Sequence, residues 1–208
     1  MPFVTKKPSY YLSALEEEST EPLHVGLYLA GSSINEELVS DLVALGRAIH
    51  QTSRSIRCLW LRFRGGSESL LAAFSAFGEE LVGATAIQSL VFEGKVGTAE
   101  VQCLSGFFTQ NKLRGLQFRR TDVDTSTFTM LEPFFSRTTT LKVLDMSSNS
   151  GVGDECINIV LDALMEGGTR IVTLNLGESN LDGQPDENSR ISGSGVASIA
   201  SFVSKSAC

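Results

Sequence analysis

Apolar residues recur along the chain as a triplet, the second and third members three and five positions after the first. Ile56, Leu59 and Leu61 form one copy, and Ile87, Leu90 and Phe92 the next. Then come Leu113, Leu116 and Phe118, followed by Leu141, Leu144 and Met146, and by Ile171, Leu174 and Leu176. An earlier, weaker copy has Leu27 and Leu29 in the last two places and His24 in the first. Successive copies are 26 to 32 residues apart. Within each triplet the last two apolar positions alternate with a polar or exposed one, which predicts a short strand with one buried face.

Each triplet is followed by a small polar turn and then by a helical period. Leu38, Leu42, Leu45 and Ile49 recur at i, i+4, i+7 and i+11, as do Leu70, Phe74, Phe77 and Leu81. The later units use i, i+3 and i+7: Val101, Leu104 and Phe108; Phe128, Leu131 and Phe135; Ile157, Val160 and Leu164; Val196, Ile199 and Val203. Such spacing predicts helices with one apolar stripe. From the first strand position to the first stripe position the distance is 14 to 16 residues in five units and 25 in the last, which marks an insertion there. A doubly wound sheet would need longer strands that are apolar on both faces. Strands of three to five residues, polar on one side, fit a stacked α/β solenoid of six strand–helix units instead. That architecture places a parallel sheet on the concave side and helices on the convex side, with Leu144 and Leu174 fully buried between them.

The segment TTTLKVLDMSSNSGVGDECINIVLDAL resembles a leucine-rich repeat of the ribonuclease-inhibitor type, L-x-x-L-x-L-x-x-N followed by a glycine-bearing turn and an amphipathic helix. Leu141, Leu144, Met146 and Asn149 occupy the pattern, with Gly151 or Gly153 in the turn. The resemblance covers roughly residues 23–206 and implies a horseshoe in which the Asn149 side chain bonds backbone groups where the strand bends away. The other units carry Ser32, Arg64, Lys95, Thr121 and Ser179 at that position, so a uniform curvature is not implied. Residues 1–22 precede the pattern and read either as a cap that lays Tyr10, Tyr11, Leu12 and Leu15 over the first unit or as an acidic tail. Residues 23–208 form the repeat domain. The last stripe has no polar capping unit after it, which would fit a truncated product, a piece of a longer array, or end-to-end self-association of copies.

Composition narrows the picture only a little. Hydrophobic residues make up 42% and charged residues 20% of the 208 positions, an ordinary globular balance. The formal net charge of -7 argues against broad adhesion to nucleic acid or to an anionic membrane. No apolar run is long enough to span a bilayer, and residues 1–18 lack the apolar region and cleavage site of a secretory signal. A cytoplasmic or nuclear setting is therefore expected. Cys58, Cys103, Cys156 and Cys208 lie far apart and read as isolated thiols.

Catalytic constellations are missing from the pattern. His24 and His50 have no ligand spacing around them, and there is neither a nucleophile elbow nor a phosphate loop. Glu79–Glu80 and Asp154–Glu155 read as solvated helix ends. A non-enzymatic chain without cofactor or metal is the expectation, acting through a protein partner.

The partner-facing positions follow from the strand alternation. One outward file is Tyr28, Trp60, Val91, Gln117, Asp145 and Asn175; the next is Ala30, Arg62, Glu93, Arg119, Ser147 and Gly177. Tyr28, Trp60, Arg62 and Phe63 combine the residue types that dominate binding hot spots, with Tyr28 and Trp60 expected side by side. Trp60 could equally pack only on its strand neighbours. Gln117, Arg119, Arg120, Asp145 and Glu178 extend the candidate surface. Arginines at 57, 62, 64, 114, 119 and 120 against Asp145, Glu178 and Asp182 predict a partner with an acidic element facing the early units and a basic one facing the late units. The insert Gly183–Gly195 is either a contact loop or a tolerated insertion. The leading expectation is a scaffold or regulator. Its alternative is a non-catalytic activator or recognition subunit, such as a GTPase-activating repeat protein or a ligase adaptor, with Arg62, Arg119 and Arg120 as helpers.

Overall fold

The computed structural model describes residues 6–16, 21–31, 35–52, 55–110, 112–177 and 191–206. Strands and helices alternate along the chain. They are α1 (Pro8–Glu16), β1 (Leu23–Ala30), α2 (Glu36–Gln51), β2 (Ile56–Arg64), α3 (Glu68–Glu80), β3 (Ser89–Gly94), α4 (Thr98–Gln102) and α5 (Ser105–Gln110). Then follow β4 (Gly115–Arg119), α6 (Thr125–Phe135), β5 (Val143–Asp145), α7 (Asp154–Glu166), β6 (Thr173–Asn175) and α8 (Gly193–Ser206). The six strands form one open parallel sheet whose spatial order is the order of the sequence.

A single row of apolar side chains crosses the whole sheet. Val25 is in register with Leu59, Leu59 with Leu90, Leu90 with Leu116, Leu116 with Leu144, and Leu144 with Leu174. A second row runs Leu27, Leu61, Phe92 and Phe118. The Phe92 and Phe118 rings stack with centroids 5.3 Å apart, and Phe128 of α6 meets Phe118 edge-on. These strand residues share one core with the stripes of the helices, including Leu45, Phe74, Leu104, Leu131 and Val160.

Five expectations change in this structure. The first strand is displaced by two residues: Val25, not Leu27, stands at the Leu59 position. A slip of two leaves every side chain on its own face, so the hydrophobic pattern does not resolve it. The first three strands have eight, nine and six residues rather than three to five. In the third unit the single stripe is broken between two short helices, with Val101 on α4, Phe108 on α5 and Leu104 in the turn between them, although all three residues are buried. In the last unit Phe202 enters the core while Val196 and Val203 are exposed, because the inward face of α8 is rotated from the assumed stripe. Leu174 is half-buried, since β6 lies at the sheet edge with no further strand–helix unit against it among the described residues.

Helix starts are set by side chains that satisfy the first unpaired backbone amides. Asn35 accepts from the Leu38 amide at α2, Ser67 from Leu70 at α3, and Asp124 from Thr127 at α6. At the other sheet edge, α1 lies against α2, and Tyr11 joins the core. The Tyr11 hydroxyl donates to the Gly26 carbonyl at 3.1 Å and accepts from the Gly26 amide at 3.0 Å, so it satisfies the outer edge of β1 at that residue. No helix among the described residues is long and apolar enough to cross a membrane.

Candidate protein-binding face

The strand residues that alternate with the core rows point to the opposite side of the sheet. Here too the register builds rows. Gly26, Trp60, Val91, Gln117, Asp145 and Asn175 make one; Tyr28, Arg62, Glu93 and Arg119 make the other. The first therefore holds Gly26 where Tyr28 was expected, and Tyr28 stands opposite Arg62 rather than beside Trp60. The physical reason is the two-residue slip of β1.

Trp60 is half-buried, and its sheet neighbour Val91 is buried although it faces away from the main core. Cys58, two residues before Trp60 on the same strand, is buried as well. Burial pushes the Cys58 thiol up to about 11, against the opposing effect of the Arg119 charge. The thiol is therefore protonated at neutral pH. Sequence reasoning placed Val91 on this face without foreseeing its burial; a valine beside the sole tryptophan was the available signal.

Phe63 does not belong to the surface. It is 3% exposed and packs edge-on against Phe74 at 5.0 Å. The alternation of Leu59 and Leu61 simply continues for one more step before β2 ends, which carries Phe63 inward. The expected platform of Tyr28, Trp60, Arg62 and Phe63 thus separates into one core residue and three residues of the sheet face.

The second row carries the charge. Tyr28 is 42% exposed, and Arg62 and Arg119 are exposed, with Glu93 half-buried between them. Arg62 Nε lies 3.6 Å from Glu93 Oε1, and Arg119 Nη2 donates to Gln117 Oε1 at 2.5 Å. Beyond this row the strands end. Gly94 has a φ of +85°, and a β-carbon there would overlap the Phe63 carbonyl oxygen, so β3 can turn away only with glycine. Arg120 has a φ of 52°, which breaks the strand alternation and keeps its side chain outside. Tyr28, Arg62, Arg64, Glu93 and Arg120 line an open groove of about 580 Å³.

Asp145 is committed locally: its Oδ1 accepts from the Ser147 amide at 3.0 Å and from the Ser147 hydroxyl at 2.6 Å. Glu178, Asp182 and most of the Gly183–Gly195 insert lie outside the described residues. Behind the face, Asn149 has the role that the repeat resemblance implied. It is 5% exposed; its amide nitrogen donates to the carbonyls of Phe118, Met146 and Ser147, and its oxygen accepts from the Thr121 amide and hydroxyl. Thr121, at the corresponding position one unit earlier, completes the same web. No group of three or more histidine, cysteine, aspartate or glutamate side chains suited to a metal occurs among the described residues.

No family model matches the chain, and no curated protein matches it. Among solved structures it is similar to actin-binding site 2 of leiomodin-1, with 18% identity over 80% of this chain and 91% of that chain, at a TM-score of 0.50. At that identity the likeness is one of fold.

Proposed function

We propose that the chain is a protein-interaction module, a leucine-rich-repeat array of the ribonuclease-inhibitor type curved into a horseshoe, whose helix-free sheet face is the concave partner surface. The observation that carries the reading is the in-register row Tyr28, Arg62, Glu93 and Arg119, presented on the face opposite the core. Tyrosine and arginine are the residue types that contribute most to binding hot spots, and a row on four adjacent strands offers them at a spacing of about 4.8 Å. The amide web of Asn149 supports the repeat type, because it joins consecutive units at the place where the strands end. The function is non-catalytic, and the cytoplasm or nucleus is its proposed site.

The test is capture from extract of the source cell with the wild-type chain, Arg62→Ala, Trp60→Ala and Glu79→Ala, compared at equal amounts of folded protein. Glu79 is exposed on α3 and serves as the helix-side control. Because the similar solved structure is named for binding actin, purified actin is the first single protein to offer. Arg62→Ala and Trp60→Ala should each weaken retention by about 2 kcal/mol or more, and Glu79→Ala should leave it unchanged. Retention that depends on Glu79 and ignores both sheet-face residues would overturn the reading.

A further inference from the structure

We propose that the groove at the carboxyl ends of β1 to β4 is a subsite for an acidic peptide segment of the partner, whose side-chain carboxylates pair with Arg62, Arg64 and Arg120. The inference rests on the sheet-face reading above and adds the chemistry of what docks there. Among the described lining residues, Glu93 alone supplies a carboxylate against those three guanidinium groups, and exposed Arg119 stands on its other side. The nearby Lys95 and Asp122 pair with each other at 3.4 Å and leave the excess of positive charge intact. The chain as a whole carries -7, so this corner opposes the sign of the molecule around it. A polyanion drawn here must be held by local groups, because the overall field repels it.

Two details of geometry point the same way. Arg62 reaches Glu93 only at 3.6 Å, longer than a good charge-assisted hydrogen bond, so its fork has capacity for a second carboxylate. Arg120 holds the left-handed backbone region that arginine seldom occupies, and it is this conformation that keeps the guanidinium on the groove side. Tyr28, at the groove's far wall, supplies an apolar ring against which an extended segment can lie. Glu93 then competes with the incoming carboxylates for Arg62.

The probe is a fluorescein-labelled hexaglutamate peptide, with hexalysine as control, followed by anisotropy at low salt on the full chain. Hexaglutamate should bind and hexalysine should not, and raising the salt should weaken the binding. Arg120→Gly removes the guanidinium while suiting the backbone, so it should fold as the wild type does and bind at least tenfold more weakly. Arg64→Gln should act in the same direction, and Glu93→Gln should tighten binding severalfold by freeing Arg62 and removing the negative charge beside it. Binding that is unchanged in both Arg120→Gly and Arg64→Gln, or weakened by Glu93→Gln, overturns the subsite. Displacement of the peptide by inorganic phosphate, beyond that by chloride at equal ionic strength, overturns the carboxylate assignment in favour of a phosphorylated segment. Such failures leave the sheet-face reading standing if Arg62→Ala and Trp60→Ala still weaken partner capture.

Discussion

The Asn149 side chain donates to three backbone carbonyls and accepts two bonds from Thr121, all in a place closed to water. Removing it leaves the Thr121 amide and the carbonyls of Phe118 and Met146 to find new partners, each at roughly 1–3 kcal/mol when none is available. Asn149→Ala should therefore destabilise the fold by about 3 kcal/mol in urea unfolding, allowing for partial rescue by entering water. A loss below about 1 kcal/mol would mean that this amide does not hold the turn. Asn149 was legible in the sequence because a repeat pattern supplies both its position and its task. Tyr11 was legible only as one of two readings, a cap over the first unit or a tail, since an aromatic in a short leading segment does not reveal whether a strand edge awaits its hydroxyl. Phe63 was placed on the wrong side because the sequence marks where alternation is compatible with a strand, not where the strand stops.

Strands and helices were legible as a phase-locked pattern, and the limits of that reading lie in the period itself. A strand repeats every two residues, so His24–Leu29 could be aligned with β2 in two ways that bury identical faces. Only the pairing of β1 with β2 resolves the choice, and with it the neighbours of Tyr28. The same pattern treated Leu144 and Leu174 as equivalent, whereas the inner strand β5 and the edge strand β6 differ in what covers them. Leu144→Ala should cost about 2–5 kcal/mol, and Leu174→Ala about half as much or less, measured by the same unfolding transition. Equal losses would contradict the edge position of β6.

The start of α8 depends on a charge. Asp154, in the first turn of α7, accepts from the hydroxyls of Ser192 and Ser194 and from the Ser192 amide, and these bonds hold its carboxyl down to about 2. A depressed carboxyl stabilises the folded state at pH values above its ordinary range near 4, and the contribution is lost as pH falls through about 2. The protection of the Ser192 and Ser194 amides, relative to their intrinsic exchange at each pH, should accordingly fall across that acid window in the wild type. Asp154→Asn should already exchange faster at neutral pH and should lack that acid step. An unchanged acid step in the variant would assign the tether to another group.

At the scale of the molecule, one core occupies one side of the sheet and leaves exposed tyrosine and arginine side chains on the other. The sequence announced that division through polar alternation on every strand, and it located Tyr28, Trp60, Arg62, Gln117, Arg119 and Arg120 on the face away from the core. It could not show that Val91 and Cys58 are buried on that face beside Trp60, or that Asp145 turns onto its own loop, because both depend on distances between side chains rather than on period. The groove at the strand ends likewise arises from two backbone conformations, at Gly94 and Arg120, that no apolar pattern encodes. On the proposed function, partners engage this face and not the helices. The most direct measurement of this is photo-cross-linking in extract of the source cell with benzoylphenylalanine placed either at Tyr28 or at Glu79. Protein adducts should form from position 28 and disappear with Arg62→Ala, and none should form from position 79. Adducts from position 79 with none from position 28 would contradict it.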